Sequence, residues 1–113
     1  MSEWVTVGRE EEVPPGGCRL VEVDGSEVAL LRLADGWHAV ENLCTHDYAE
    51  LVTGSVCRLE GGAGEEVLVC PRHGARFCPR TGKALTPPAY EDLAVFEVRV
   101  VDGLVQLRDP RWG

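Results

Sequence analysis

Two short stretches of the chain each combine one cysteine with one histidine. The first is Cys44-Thr45-His46 and the second is Cys70-Pro71-Arg72-His73. Together they offer two thiolates and two imidazoles, a donor set that suits either zinc or an iron-sulfur cluster. Zinc fingers usually pair like ligands within one loop, whereas each loop here carries one ligand of each kind. A Cys-x-His segment can reach two adjacent metals more easily than it can wrap a single tetrahedral ion.

The elements that must position these loops are predicted by three Asp-Gly dipeptides. Asp-Gly between apolar runs is a strong hairpin signal. Asp24-Gly25 joins residues 18–23 to 28–33, Asp35-Gly36 joins that run to residues 37–40, and Asp102-Gly103 joins residues 94–101 to 104–107. Residues 4–7 form a plausible first strand. Three such hairpins predict an all-β, antiparallel domain.

A further hairpin is expected between the two stretches. Residues 55–60 and 65–70 flank the run Gly61-Gly62-Ala63-Gly64, so the chain returns Cys70 towards Cys44. The acidic triplet at residues 10–12 is expected in a solvated loop. At most one turn of helix is expected, at residues 48–51.

Composition excludes several classes of function. The chain has 113 residues, enough for one domain with its own core, and a formal net charge of −8. That charge argues against nucleic acid as a partner and suits steering towards a basic protein. We find no signal peptide and no apolar run of membrane-spanning length, so we expect a cytoplasmic protein. There the five cysteines are expected as metal ligands and buried thiols, not as disulfides.

The two motifs and their flanks resemble the small bacterial Rieske ferredoxins over most of the chain. Besides the motifs themselves, the resemblance rests on residues 36–42 before the first loop, and on three stretches after the second: Gly74-Ala75-Arg76-Phe77, Arg80-Thr81-Gly82 and Pro87-Pro88-Ala89-Tyr90. It implies a Rieske-like β-sandwich or barrel. A cluster-binding subdomain of about residues 43–89, built from two hairpin loops, would be inserted in a basal domain of residues 1–42 and 90–113.

The resemblance also implies the role of each site residue. Cys44 and Cys70 would bind one iron of a [2Fe-2S] cluster, and His46 and His73 the other. Five residues would surround the cluster: Gly74, Ala75, Phe77, Pro87 and Pro88. Gly74 and Ala75 are small where backbone N–H groups could approach the sulfides, although an ordinary turn explains them equally well. The two prolines would shield one face.

The expected reduction potential follows from the ligands and their surroundings. Replacing two thiolates by neutral imidazoles makes the oxidised centre two charge units less negative, which places Rieske clusters at roughly −150 to +300 mV. High-potential respiratory Rieske proteins carry hydroxyls where this chain has Ala75 and Phe77, and a disulfide where it has Ala49 and Arg72. Hydrogen bonds to sulfur stabilise the reduced state. We therefore expect a midpoint potential at the lower end, roughly −150 mV.

The function implied is electron transfer without substrate chemistry. Rieske oxygenases need an additional site of two histidines and one carboxylate, and a chain with three histidines cannot supply it after two bind the cluster. A flavin-dependent NAD(P)H reductase would be the donor and a ring-hydroxylating or other non-haem iron oxygenase the acceptor. Docking would be transient and electrostatic, at the face of His46 and His73, and we expect a monomer. The alternatives are a Rieske-like small subunit of an assimilatory nitrite reductase and, more remotely, a structural zinc module.

Four further residues are not expected to bind metal. His38 lies in a strand-like run and is interpreted as a surface or packed residue. Cys18, Cys57 and Cys78 are interpreted as small packed residues. A basic cluster of Arg72, Arg76, Arg80 and Lys83 either guides docking or balances nearby acids, and the sequence does not decide between the two.

Overall fold

The fold is described from a computed structural model, which covers residues 3–43, 50–72, 74–86 and 91–109. Eleven strands and one short 3-10 helix are present in these ranges. The strands are β1 (Val5–Arg9), β2 (Cys18–Val23), β3 (Ser26–Leu33), β4 (Gly36–Glu41), β5 (Val52–Thr53), β6 (Val56–Cys57), β7 (Leu59–Glu60), β8 (Val67–Val69), β9 (Arg76–Phe77), β10 (Val95–Val101) and β11 (Leu104–Arg108). The described chain contains no helix long and apolar enough to cross a membrane.

Six strands form one antiparallel sheet in the order β1-β11-β10-β4-β3-β2. Its edge strands β1 and β2 contact each other, so the sheet curves into a nearly closed barrel. Two small sheets, β5-β6 and β7-β8-β9, lie between β4 and β10 in the sequence. The prediction of an all-β antiparallel fold is confirmed.

Two of the three Asp-Gly turns are as predicted. Asp24 and Asp102 have φ of 50° and 52°, and each is followed by a glycine with positive φ, the backbone of a type I′ hairpin. The third turn is displaced by one residue. Leu33 pairs with Gly36, so the turn residues are Ala34 and Asp35, and Gly36 already belongs to β4. The prediction of an Asp35-Gly36 turn was wrong, because strand register and not the dipeptide sets the turn there.

Two other predictions at the level of secondary structure need correction. Residues 10–12 form a 3-10 helix (Glu10–Glu12) and not an irregular loop. The hairpin expected across residues 55–70 is shorter, because β7 pairs with β8 while β6 turns back to pair with β5. The helical turn expected at residues 48–51 falls largely outside the described residues.

The buried side chains form two hydrophobic clusters that share strand β3. Alternate side chains of a strand point to opposite faces of the sheet. Val28 and Leu30 lie in the cluster inside the barrel. Ala29 and Leu31 lie in the cluster between the barrel and the small sheets. Strand β3 is therefore buried on both faces, which explains its nearly continuous apolar sequence.

Candidate metal centre

Cys70 stands at the end of β8, at the start of a loop that closes on itself. The N–H of Cys70 donates to the carbonyl of Ala75 (2.8 Å), and the N–H of Gly74 donates to the carbonyl of Cys70 (3.0 Å). Gly74 has φ of +74°, and a Cβ there would meet no atom within 4 Å, so the backbone angle and not crowding requires glycine. Strand β9 then returns beside β8, with Phe77 paired to Leu68. The two strands hold both ends of the loop that carries His73.

Three predicted site residues lie together in the core beneath this loop. Cys70, Ala75 and Phe77 are each fully buried and belong to the cluster between the barrel and the small sheets. The N–H of Gly74 is used by the turn, as in the alternative interpretation given to it above. The remaining predicted site residues, Cys44, His46, His73, Pro87 and Pro88, lie outside the described residues.

The segment that leads to the two prolines lies alongside β9. Phe77 forms a β-bridge with Ala84, and the N–H of Leu85 donates to the carbonyl of Arg76 (2.8 Å). The hydroxyl of Thr86 accepts a hydrogen bond from the N–H of Arg76 (3.1 Å). The structure therefore delivers residues 84–86, which directly precede the prolines, to the strand that ends the Cys70 loop.

Asn42 is a residue that the sequence analysis did not single out. Its side-chain oxygen accepts hydrogen bonds from the N–H groups of Leu51 (3.0 Å) and Val52 (2.7 Å), and its amide nitrogen donates to the carbonyl of Val52 (2.9 Å). These bonds join the end of β4 to the start of β5, across the loop that contains Cys44 and His46. Its place two residues before the first cysteine, as one of only two side-chain amides in the chain, was the available signal.

Two cysteines form a disulfide, contrary to the prediction that all five would be thiols. Cys18 on β2 and Cys57 on β6 are bonded, with their Cα atoms 6.5 Å apart. The N–H of Leu20 donates to the carbonyl of Gly54 (2.6 Å), which brings the β5-β6 hairpin against β2. Interpreting Cys18 and Cys57 as unbonded packed residues was therefore wrong. Sequence patterns did not reveal that these distant strands are neighbours.

Two cysteines are free in the described chain, and their settings differ. Cys70 is buried, whereas Cys78 is partly exposed in a turn closed by hydrogen bonds between residues 78 and 82–83. Burial raises the pKa of Cys78, but hydrogen bonds from Thr81 and Arg80 outweigh it and leave that pKa below its usual value. Among residues 3–43, 50–72, 74–86 and 91–109, no three potential metal ligands come together.

The structure shows acidic partners for two of the basic residues near the second loop. Arg76 forms an ion pair with Glu60 (2.7 Å). Arg80 bonds Asp35 (2.7 Å) in the β3-β4 turn, and both the carbonyl (3.0 Å) and the carboxylate (2.5 Å) of Glu66. For Arg76 and Arg80, the balancing of nearby acids is confirmed.

Arg80 also lowers the pKa of Asp35. Its hydrogen bond is the main reason that the pKa of Asp35 falls from 3.8 to about 2, and a further bond from His38 (3.0 Å) acts in the same direction. This contact confirms His38 as a packed residue with a structural partner. The network ties a turn of the barrel to the segment just before β8.

The residues present fit an iron-sulfur centre at the second loop. Cys70 is not engaged in a disulfide, is withdrawn from solvent, and begins a short loop that backbone hydrogen bonds close. A thiolate in such a position is a suitable iron ligand. Because the disulfide removes Cys18 and Cys57 from the set of possible donors, the cysteines left to bind iron are Cys44, Cys70 and Cys78.

Comparison with known proteins identifies the class. Residues 3–97 match the Rieske [2Fe-2S] domain family, and the chain therefore belongs to that family. Its cofactor is accordingly a Rieske [2Fe-2S] cluster. This assignment leaves the zinc-module alternative without support.

Among curated relatives, the similarity is to ferredoxin components of dioxygenase systems. The chain is 40% identical over 97 residues to the 3-phenylpropionate/cinnamic acid dioxygenase ferredoxin subunit of Photorhabdus laumondii, covering 86% of each chain. It is 34% identical over 105 residues to the ferredoxin component of the naphthalene 1,2-dioxygenase/salicylate 5-hydroxylase systems of a Ralstonia species, covering 93% of this chain and 94% of the relative.

Solved structures place the same fold in two settings. A chain in the complex of reduced oxygenase and oxidized ferredoxin in carbazole 1,9a-dioxygenase is 34% identical, with a TM-score of 0.76 and coverage of 92% and 91%. The putative NADH-dependent nitrite reductase small subunit of Mycobacterium tuberculosis is 28% identical, with a TM-score of 0.78 and coverage of 96% of both chains.

Proposed function

We propose that this protein is the ferredoxin component of a multicomponent aromatic-ring dioxygenase system. It carries one electron at a time from a flavin-dependent NAD(P)H reductase to a non-haem iron oxygenase. The observation that carries the proposal is near full-length similarity, 34–40% identical, to ferredoxin components of such systems. A cytoplasmic location is part of the proposal, because NAD(P)H is an intracellular reductant.

The nitrite reductase alternative is supported by fold similarity at lower identity. The ferredoxin role is favoured because the chain is 34–40% identical to ferredoxin components, against 28% for that nitrite reductase small subunit, and because Cys44, His46, Cys70 and His73 are all present. The alternative predicts tight association with a large reductase subunit. Copurification from the native host would separate a permanent subunit from a transiently docking carrier.

Four residues are proposed to hold the cluster: Cys44 and Cys70 on one iron, and His46 and His73 on the other. When bound, the cluster accepts and releases a single electron. Burial of Cys70 keeps its sulfur out of water, and hydrogen bonds from Cys70 to Ala75 and from Gly74 to Cys70 close the backbone on either side of position 73. The apolar Ala75 and Phe77 exclude water beneath the loop, and Pro87 and Pro88 are proposed to cover a second side.

A matched pair of histidine variants tests the ligand assignment. His73→Ala is expected to abolish the EPR signal and visible bands of the dithionite-reduced protein. His38→Ala, the same substitution at the histidine bonded to Asp35, is expected to leave both intact. Wild-type protein should contain two irons and two acid-labile sulfides per chain. An unchanged spectrum in His73→Ala would remove this residue from the ligand set.

Cysteine variants test the same centre from its other side. Cys70→Ser is expected to prevent normal cluster assembly, while Cys78→Ser at the partly exposed free cysteine should assemble it normally. The converse result would transfer the ligand role to Cys78. Protein-film voltammetry should give a midpoint potential of roughly −150 mV, and a value well above zero would contradict the low-potential assignment.

A further inference from the structure

Asn42 is one of two buried polar residues in the described part of the chain, with 3% of its surface exposed. Its backbone N–H donates to the carbonyl of Glu27 (3.0 Å), which fixes the residue to β3 just beyond the last paired residue of β4. A buried amide is costly unless its polar atoms are satisfied. The backbone of Asn42 is therefore held in place, and its buried carboxamide needs hydrogen-bond partners.

The partners are supplied by the far end of the first ligand loop. The carboxamide accepts from Leu51 and Val52 and donates to Val52, so it pairs with the backbone of Val52 as a neighbouring strand would. Leu51 and Val52 are 2% and 0% exposed, so water cannot replace these bonds. Both ends of the loop at residues 43–50 are thereby fixed to one residue.

No other side chain can make this set of bonds in the same space. Aspartate has the same shape, but it has no donor for the carbonyl of Val52 and would bring a carboxylate against that oxygen. Alanine would leave two N–H groups and one carbonyl buried without partners. These bonds also assign the orientation of the amide, because two N–H donors face its oxygen and a carbonyl oxygen faces its nitrogen.

We propose that Asn42 is a positioning residue for the iron centre, because it fixes the two ends of the loop that presents Cys44 and His46. This inference rests on the proposed ligand role of those two residues. The bonds of Asn42 are made to the backbone of Leu51 and Val52, so they fix where the loop ends relative to where it begins. Loss of the bonds lets the ligands move away from iron once they are released.

The test compares iron retention in Asn42→Asp and Asn42→Ala with retention in Val28→Ala. Val28 is fully buried in the cluster inside the barrel and its side chain makes none of the hydrogen bonds of Asn42, so its truncation lowers overall stability by a different route. Iron release to a ferrous chelator is followed by absorbance, well below each melting temperature. The Asn42 variants are expected to lose iron about 10-fold faster than wild type, and Val28→Ala at nearly the wild-type rate. EPR lines of the reduced Asn42 variants should also broaden.

Equal rates of iron release in Asn42→Asp and Val28→Ala, at matched melting temperature, would overturn the proposal. If both variants of Asn42 fail to fold, Asn42→Ser supplies a smaller neutral change, and the same comparison applies. The proposed function fails separately, when wild-type protein binds no [2Fe-2S] cluster. A wild-type cluster with unaltered iron release in the Asn42 variants would refute this inference alone.

Discussion

The Cys18–Cys57 disulfide should contribute substantially to stability, and its contribution can be estimated from the chain it encloses. The bond joins residues separated by 39 positions, a span that includes β3, β4 and the segment with the proposed ligands Cys44 and His46. Closing a loop of that length lowers the conformational entropy of the unfolded chain, which stabilises the folded state by about 4 kcal/mol. With the entropy of unfolding expected for 113 residues, losing this stabilisation should lower the melting temperature by about 15 °C.

The perturbation is the double variant Cys18→Ala/Cys57→Ala, compared with wild type in the presence and absence of a phosphine reductant. Circular dichroism gives the melting temperatures, and peptide mapping without reduction establishes whether the bond is closed. Reductant should lower the melting temperature of wild type towards that of the double variant. It should leave the double variant unchanged, which controls for any effect on the iron centre.

Two results would refute the reasoning. If mapping shows a closed bond and yet the double variant melts within about 2 °C of wild type, the loop-closure argument is wrong for this chain. If mapping shows two free thiols at Cys18 and Cys57 in protein from aerobic purification, the bond itself is absent. The second result would restore the expectation drawn from the sequence, that these residues are buried thiols.

Three further predictions concern the small sheets, the Arg80 network and docking. Gly82→Ala should lower the free energy of unfolding by roughly 3 kcal/mol or more, because a Cβ at φ +77° would collide with the carbonyl oxygen of Leu93. The control Gly64→Ala, at φ +82° with open space around it, should lower it by only about 1 kcal/mol. Urea unfolding measures both values. Because the pKa of Asp35 is depressed to about 2, its stabilising contribution is complete above about pH 4 and is lost as pH falls towards 2. The difference in unfolding free energy between wild type and Asp35→Asn should therefore become smaller as pH falls from about 4 to about 2. Arg80→Met should remove most of this pH dependence. A difference that stays constant with pH would contradict the hydrogen bond from Arg80 as the cause of the lowered pKa. Stopped-flow electron transfer to the oxygenase should slow as ionic strength rises from about 0.05 to about 0.5 M, because a net charge of −8 steers encounter electrostatically; a rate indifferent to salt would rule out such steering.

The sequence predicted those parts of the fold that depend on local signals. Asp24-Gly25 and Asp102-Gly103 impose a backbone twist that fits only a tight hairpin, and both turns are found. The third dipeptide failed because Gly36 pairs with Leu33. Register depends on which faces of β3 and β4 are buried, and that is settled by contacts across the whole sheet.

The candidate site was predicted from residue types, but the disulfide and the Asn42 hydrogen bonds that hold the surrounding segments were not. The buried, disulfide-free Cys70 and its closed loop are compatible with the ligand motif. The Cys18–Cys57 bond and the role of Asn42 both depend on residues distant in sequence becoming neighbours. Single-sequence patterns carry no information about such pairs, because neither partner alone departs from what a strand or a strand end would contain.

The burial of β3 on both faces has a consequence for how precisely its register must be set. Alternate residues of this strand supply two different cores, so a slip of one position would send each set of side chains into the wrong core. A correct register of β3 is therefore needed for the small sheets, next to which Cys70 lies, to pack against the barrel. The Asp24-Gly25 turn joins β2 to β3 and helps to define that register. The placement of Cys70 against the barrel therefore depends on residues of β3 that lie far from it in the sequence.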